Sequence, residues 1–565
     1  MRSCFLTCPL AFFVAMTMNG IASGASGNLI ENSSFELELR KGWAGKALEP
    51  RKTTKNVPAK HGQYLLSMEG CPHRWIADYW DSSELRSQLY PLDAGKTYTF
   101  SVWARSDNPK TVQLSYNVNL VPKPKEPVEM RRTSDGRPGL EWKRYSLTFT
   151  VPEDATDTQC HISIGGRYVM IDAMQLEQGE APSDFQPHYP IEAALLNRSP
   201  IQIYELGKEN FLDFAATCGF GATKPEKFTV KIVDYWERVV AERKFAIDPA
   251  KGARQVLPCL LPADVSGAFR GEVYREDGSP ESDLCFSILP NPRDIPAEES
   301  YFGSAFNTSD EHLARVKALG VKWYRSQDDS LMHRWLEPEP GKWVYPDKEI
   351  NRVLSYGFEI MCCFRISGTH SPQWSQEKDY SDSPLYPSLK IDLKTWETYV
   401  YNIVSHFRGR IKYFELTPEK YHANDPKSFL EVVRTGYAAA KRANPDCVLL
   451  APATYQAMTA WTEDVLELGV LKYTDIFSHR GYDTISPGSL KHVIEWSCRD
   501  GIRRRIFANE AATCPYDTFY KITRKQFSTT APYYDGSRWD IMQVVNNIAH
   551  GSRPHMLYWL AGASL

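Results

Sequence analysis

From about residue 300 to the end of the 565-residue chain, short apolar stretches alternate with amphipathic helical stretches about eight times, and nothing before residue 290 shows that rhythm. This alternation constrains the fold more than any other feature, because a strand–helix unit repeated eight times has two main solutions, a closed barrel or a doubly wound open sheet. Thr308-Ser309-Asp310-Glu311 forms a capping box, followed by Leu313, Val316 and Leu319 at helical spacing and Gly320 as a stop. Val321-Lys322-Trp323-Tyr324-Arg325 reads as the next strand. Asp347 then caps a helix carrying Ile350, Val353 and Leu354, which Gly357 ends before a strand over 358–364. The cycle continues with helices over 392–408, 427–443, 461–468, 489–500 and 538–549, and strands over 411–416, 448–451, 475–478, 505–508 and 555–559. A domain over 297–565 with this pattern predicts a (β/α)8 barrel, a fold of about 250 residues. The open sheet is disfavoured because no glycine-rich phosphate loop follows the first strand. Only residues 560–565 follow the eighth strand, too few for a last helix, so either the sequence is a fragment or another element covers the gap.

Ahead of the barrel the period is two. Thr97-Tyr98-Thr99-Phe100-Ser101-Val102 and Tyr145-Ser146-Leu147-Thr148-Phe149-Thr150-Val151 alternate, with turn clusters at Asp93-Ala94-Gly95 and Ser134-Asp135-Gly136. Residues 28–190 therefore predict an antiparallel β-sandwich with one buried face per sheet. Residues 192–290 have the same texture, with Phe228-Thr229-Val230-Lys231-Ile232 and Leu284-Cys285-Phe286-Ser287-Ile288, and predict a second, immunoglobulin-like sandwich that carries no chemistry-bearing cluster. Pro290, Pro292 and Pro296 then mark a stiff linker. The expected architecture is multidomain, two antiparallel β-sandwiches followed by a (β/α)8 barrel.

Residues 1–25 read as an export signal: Arg2, an apolar stretch from Phe5 to Met18, then the small run Ile21-Ala22-Ser23-Gly24-Ala25. The expectation is a secreted or periplasmic protein. No later run approaches the ~20 apolar residues of a membrane span. With 66 Lys+Arg against 69 Asp+Glu there is no basic excess to neutralise a phosphate backbone, so nucleic acid is not an expected partner. Of the 12 Cys, Cys4 and Cys8 lie in the leader, and no C-x-x-C pair occurs; Cys362 and Cys363 read as core. The aromatic excess (15 Trp, 30 Tyr, 25 Phe) suits β-sheets and also suits sites that stack on sugar rings.

Chemistry in a barrel belongs at the C-terminal ends of its strands. Strand four ends Tyr413-Phe414-Glu415-Leu416-Thr417-Pro418-Glu419 and strand seven ends Ile506-Phe507-Ala508-Asn509-Glu510. Glu419 and Glu510 would face each other across the mouth, and at a separation of about 5–5.5 Å they would suit a retaining glycosidase. Mutual repulsion and partial burial would keep one protonated while the other stays ionised. Glu415 is a fallback acid, deeper in the strand, where pairing with a basic group is the plainer reading. His370 and Trp374 after strand three, His479 and Tyr482 after strand six, and Trp559 on strand eight read as sugar contacts. A metal role for His370 and His479 lacks the spacing it needs, and no metal is expected. A serine triad is disfavoured by the absence of a G-x-S-x-G elbow. Asp328 and Asp329 read as loop charges. No cofactor is expected, since carboxylate chemistry suffices.

Two resemblances add to this. Asn28-Leu29-Ile30-Glu31-Asn32-Ser33-Ser34-Phe35-Glu36, the run 95–105, and Tyr168-Val169-Met170-Ile171-Asp172-Ala173-Met174-Gln175-Leu176-Glu177 resemble a family 4/9-type carbohydrate-binding module. In similar modules an opening Glu and a late Asp help hold a structural calcium, which would fall on Glu36 and Asp172; two carboxylates are few for an ion that takes about six to eight oxygens. The barrel resembles clan A glycoside hydrolases, most like family 39, through Phe302-Gly303-Ser304-Ala305-Phe306-Asn307, Trp335-Leu336-Glu337-Pro338 with Gly341-Lys342-Trp343, the run 408–415, Ala440-Lys441-Arg442-Ala443-Asn444-Pro445-Asp446 and Asp475-Ile476-Phe477-Ser478-His479. That resemblance implies Glu419 as acid/base, Glu510 as nucleophile and Arg325 as the buried cation that holds the nucleophile ionised. The family's Asn before the acid/base is replaced here by Pro418, in Pro418-Glu419-Lys420, removing a hydrogen bond to the sugar 2-hydroxyl.

The expected function is therefore a secreted retaining glycoside hydrolase acting on a polysaccharide or oligosaccharide. The alternative is a non-catalytic carbohydrate-binding or surface protein with a degenerate barrel, motivated by Pro418. A structural surface protein without a sugar role is a third reading. Oligomeric state, sugar and linkage are not legible at this level.

Overall fold

The computed structural model describes residues 27–37, 43–45, 50–52, 58–68, 83–87, 89–107, 113–121, 131–133, 138–155, 158–219, 221–306, 308–326, 331–364, 372, 374, 392–416, 425–455, 459–480, 487–511, 544–545, 547–549 and 552–557. The expected signal, His370, Glu419, Tyr482 and Trp559 lie outside these residues, as do Pro418, Asp328 and Asp329. The chain forms two compact units. One comprises Met1–Leu196, Phe211–Leu261 and Arg270–Leu284, and the other Asn197–Asn210, Pro262–Phe269 and Cys285–Leu565, so the segment 192–290 contributes to both.

In the first unit, a five-stranded antiparallel sheet runs in the order Pro50–Lys52, Tyr64–Met68, Val169–Gln178, Thr97–Arg105, Lys143–Thr150. A second antiparallel sheet is centred on Gln159–Arg167 and Gln113–Val121. Phe100, Val102, Leu147 and Ile171 of one sheet share a core with Tyr116, Val118, Ile162 and Ile164 of the other, with the Phe100 and Tyr116 rings 5.8 Å apart. The strand Thr97–Arg105 departs from the one-buried-face expectation, because Thr99 and Ser101 are buried too. The segment after Val169–Gln178 covers that outer face: Thr99 Oγ1 donates to the Gly179 carbonyl (2.8 Å), and Arg144 donates to both Ser101 Oγ and the Ser183 carbonyl. Further along the unit, Ile191–Asn197, Phe211–Cys218 and Arg254–Leu260 form a three-stranded sheet, and Glu226–Asp234 pairs antiparallel with Val239–Ile247.

The second unit contains a closed barrel of eight parallel strands: β1 (Phe302–Ser304), β2 (Trp323–Ser326), β3 (Glu359–Cys363), β4 (Tyr413–Glu415), β5 (Val448–Tyr455), β6 (Ile476–Arg480), β7 (Arg505–Ala511) and β8 (Ser552–Leu557). Closure comes from β8, whose His555 and Leu557 pair with Phe302 and Ser304 of β1. The connecting helices are α1 (Asp310–Ala318), α2 (His333–Leu336), α3 (Asp347–Ser355), α4 (Leu393–His406), α5 (Pro426–Ala443), α6 (Thr459–Glu467) and α7 (Pro487–Ser497). Of the helix expected over 538–549, only 544–545 and 547–549 are described, and these are helical.

Side-chain parity decides what faces where. Trp323, Met361, Tyr413, Leu450, Ile476, Phe507 and Met556, one from each of β2–β8, form an apolar layer inside the barrel. Strand β1 supplies Gly303 at that level, and a Cβ there would lie 2.0 Å from Met556 Sδ and 2.8 Å from Trp323 Cβ; only glycine leaves room for the two large neighbours. The intervening residues, Tyr324, Ile360, Cys362, Phe414, Leu449, Phe477 and Ile506, point outward and pack under the helices with Leu313, Val353, Trp396, Ile403, Phe429 and Val432. Helix α5 shows the local logic: Asp425 caps Ser428 N, Pro426 opens the first turn, and Phe429, Val432, Val433, Gly436 and Ala440 recur on one buried face. Two expected caps shift. Ser309 rather than Thr308 caps α1, while Thr308 donates to Glu349 (2.6 Å). Asp347 makes no cap bond; it lies in the first turn of α3 and pairs with His406 and Arg410.

Candidate functional site

Two residues further along β2, β3 and β4, about 7 Å above the apolar layer, the inward positions are Arg325, Cys363 and Glu415. All three are buried. Arg325 Nε donates to Glu415 Oε2 (3.1 Å), its Nη2 reaches Glu415 Oε1 and Cys363 Sγ (both 3.4 Å), and its Nη1 donates to Glu510 Oε2 (2.9 Å). One guanidinium thus bridges strand four to strand seven. Burial by itself disfavours the Arg325 charge, but Cys363, Glu415 and Glu510 beside it outweigh burial and hold the group protonated well above its ordinary range.

Glu510 reaches this layer because β7 is irregular. His479 pairs with Ala508 and Arg480 with Glu510, so Asn509 and Glu510 together oppose one residue of β6. Such a bulge re-aims side chains. Here two consecutive residues reach the interior: Asn509 Nδ2 donates to Glu415 Oε1 (2.5 Å), and Glu510 meets both Arg325 and Arg480. Arg480 Nη1 donates to Glu510 Oε1 at 2.9 Å. Both oxygens of Glu510 accept from a guanidinium, and the residue keeps 4% of its surface exposed. The donors on each side favour the ionised carboxylate. A carboxylate held ionised and directed toward the C-terminal end of the barrel can act as a nucleophile or as an electrostatic partner for a developing cation.

Of the residues named from sequence, the structure brings together Arg325 and Glu510, with Glu415 as the second partner of the same guanidinium. His479 is wholly buried, with Nε2 against Ser552 Oγ of β8 (3.1 Å). Burial pushes its imidazole down to about 4, against an opposing backbone contact from Arg480, so the ring is neutral at pH 7. Its described side-chain partner is a hydroxyl rather than a carboxylate. Trp374 is partly exposed; its Nε1 donates to the Glu337 carbonyl (3.0 Å), and its ring meets His333 edge-on. His333 in turn stacks on Tyr399 and bonds Glu337 (2.9 Å), fixing the wall after β2. Sequence reasoning missed Arg480 and Asn509. Period-two parity from Ile476 already turns Arg480 inward, and the bulge in β7 brings Glu510 to meet it. A count of charges at the strand ends, two Glu set against two Arg, would have pointed to it.

The implied calcium pair of the first unit has a different chemistry. Asp172 Oδ2 accepts from His61 N (2.9 Å) and Oδ1 from Ala173 N (2.6 Å); Glu36 Oε1 accepts from Gln63 N and Tyr64 N (2.7 and 2.8 Å). Gly62, at φ +69°, lets the loop close on Glu36: a Cβ there would lie 2.3 Å from Oε1. Burial, aided by the charge of Glu36, pushes Asp172 up to about 8 despite its amide partners, and burial raises Glu36 as well. Oxygens already accepting from backbone N–H donors do not fit a divalent cation. Among the described residues no three metal-ligating side chains converge, and no described helix is long and apolar enough to cross a membrane.

No curated protein matches the sequence. Among solved structures, a family 39 glycoside hydrolase from Bacteroides cellulosilyticus WH2 overlaps 65% of this chain and 75% of its own at 14% identity and a TM-score of 0.46. A GH39 beta-xylosidase from Caulobacter crescentus overlaps 47% and 64% at 17% identity and a TM-score of 0.34. TmCBM61, solved with beta-1,4-galactotriose, overlaps 27% of this chain and all of its own at 20% identity and a TM-score of 0.21. The sequence profile of a 4/9-type carbohydrate-binding domain matches residues 27–167, so over its first sandwich this chain is similar to carbohydrate-binding domains.

Proposed function

We propose that this chain is an exported, retaining glycoside hydrolase in which two β-sandwiches precede a (β/α)8 catalytic barrel, similar to family 39. The observation that carries the reading is Glu510, at the C-terminal end of β7, held ionised by Arg325 and Arg480 inside the barrel. In the first step a Glu510 oxygen bonds the anomeric carbon as the glycosidic C–O bond breaks, and the leaving oxygen takes a proton from Glu419. In the second, Glu419 removes a proton from water, which displaces Glu510. Asn509 and Arg325 position the pair by tying Glu415 and Glu510 into one network. Trp374 is assigned to the sugar-binding wall, with His370, Tyr482 and Trp559 as further contacts. His479 braces β8 through Ser552. The match of residues 27–167 to a carbohydrate-binding domain supports a saccharide as the partner.

The second reading is a carbohydrate-binding protein with an inactive barrel. It is favoured by Pro418 and by the occupation of both Glu510 oxygens. The deciding experiment uses the wild-type chain: a panel of plant and algal polysaccharides with product sizing, followed by trapping with a 2-deoxy-2-fluoro glycoside of the released sugar. A covalent adduct mapped to the Glu510 peptide is the expected result. An adduct on another carboxylate, or saccharide binding with no product on any substrate, overturns the hydrolase reading.

A further inference from the structure

We propose that the hairpin tip 234–238 is a further saccharide site, where the exposed Trp236 ring stacks on the C–H face of a pyranose in a polysaccharide chain. The inference rests on the saccharide partner named above and adds a contact outside both the barrel and residues 27–167. Trp236 keeps 64% of its surface exposed, more than any other described aromatic residue. The tip that carries it is tightly tied. Asp234 closes the loop between the strands Glu226–Asp234 and Val239–Ile247. Its Oδ1 accepts from both Trp236 N and Arg238 N (2.9 Å each), its Oδ2 accepts from Arg238 Nε (2.8 Å), and its own N–H donates to the Arg238 carbonyl (2.9 Å). Glu237 is left-handed, at φ +61°, a costly conformation for a residue with a side chain, and its carboxylate is tied to Arg270 (2.8 Å). The Tyr235 ring meets the indole edge-on, 5.1 Å away.

A ring held in this way loses little freedom on binding, which is what a weak stacking contact needs. The surroundings suit hydroxyl groups. Arg238 is 72% exposed at its side chain and commits Nε and Nη2 to Asp234, two of the five N–H groups of a guanidinium, so three remain as donors toward solvent beside the ring. A protein partner fits less well. It would need about 800 Å² on each side with several buried anchors, whereas a whole Trp side chain offers about 150–250 Å². Within 234–239 the only other exposed large apolar residue is Val239. One indole face matches one sugar ring. An open tip with a single ring binds weakly, and it works through linkage: carried on one chain with a second saccharide-binding element, it lengthens residence on an extended polymer rather than capturing a free sugar.

The test compares retention of the wild-type full chain and of Trp236→Ala on microcrystalline cellulose, insoluble xylan, pectic galactan and agarose beads. On a polymer that holds the wild type, Trp236→Ala is expected to weaken apparent affinity by about 5- to 10-fold. Trp236→Tyr should keep most of it, and the urea midpoint of both variants should stay in place because the ring is exposed. A second readout isolates the tip from any other saccharide contact. The tryptophan fluorescence that Trp236→Phe removes is open to acrylamide in the free chain, and soluble xylan, galactan or cellohexaose should shield it. Either effect supports the site, and the absence of both on every polymer overturns it. Neither readout needs turnover. Trp236-dependent retention on a chain that cleaves nothing therefore sinks only the hydrolase reading, and an active chain indifferent to Trp236 in both readouts sinks only this proposal.

Discussion

The two units each hold a pair of carboxylates in place, and they do so by opposite means. In the barrel, Glu415 and Glu510 each accept from a buried guanidinium, Arg325 for the first and both Arg325 and Arg480 for the second. In the sandwich, Glu36 and Asp172 face backbone amides, and Asp172 holds a proton up to about pH 8. Amides are partial charges that define a loop shape, whereas guanidinia are full charges that leave a reactive anion behind. The first arrangement can do chemistry. The second is a latch on the loop 60–64.

The strongest way to break this comparison is the same substitution made at both sites. Glu510→Gln puts an amide N–H against one of two guanidinium donors and leaves a buried cation short of its partner, so a loss of about 3–5 kcal/mol is expected in urea unfolding of the full chain. A loss below 1 kcal/mol would mean that the buried charges are not coupled as the distances imply. Acid should then separate the units by sign. His479 is held down to about 4, so its contribution is complete above its ordinary 6.5 and fades as pH falls toward 4, costing the barrel about 3 kcal/mol by linkage. Asp172 is raised from 3.8 to about 8, so its contribution is complete below 3.8 and fades as pH rises toward 8, and the sandwich gains over the window where the barrel loses. Calorimetric scans between pH 4 and 8 should show transitions moving in opposite directions, with His479→Gln flattening one and Asp172→Asn the other. Parallel movement of the two would remove the distinction. The smallest effect is expected from Glu36→Gln. Its single accepting oxygen can keep both amide bonds, so the change should stay below about 1 kcal/mol while shifting the Asp172-dependent pH response to lower pH, as a neighbouring negative charge is gone.

Much of this was legible in the chain. The strand–helix alternation gave the eight barrel strands in order, and helical spacing identified α4 and α5 to within two residues. Glu510 was legible as a strand-end carboxylate and Arg325 through the resemblance to clan A glycoside hydrolases, and the structure joins them directly. The pairing of Arg480 with Glu510 was not, because Glu510 turns inward only through an extra residue in β7 that no period-two count contains. Nor was the covered outer face of Thr97–Arg105, since the segment that covers it lies about eighty residues away. The calcium expectation for Glu36 and Asp172 came from the resemblance to carbohydrate-binding modules. Which atoms fill the space between two carboxylates is set by a loop that Gly62 allows to close.

What the sequence determined by itself is the order of strands and helices and the side of each that turns inward, because hydrophobic periodicity is a local property of consecutive residues. What the tertiary structure decided is which charges meet. Pairing of Arg325 with Glu510 across 185 positions, and of Arg480 with the same carboxylate, depends on barrel closure and on one bulge, and burial then fixes the protonation of each group through neighbours that are distant in the chain.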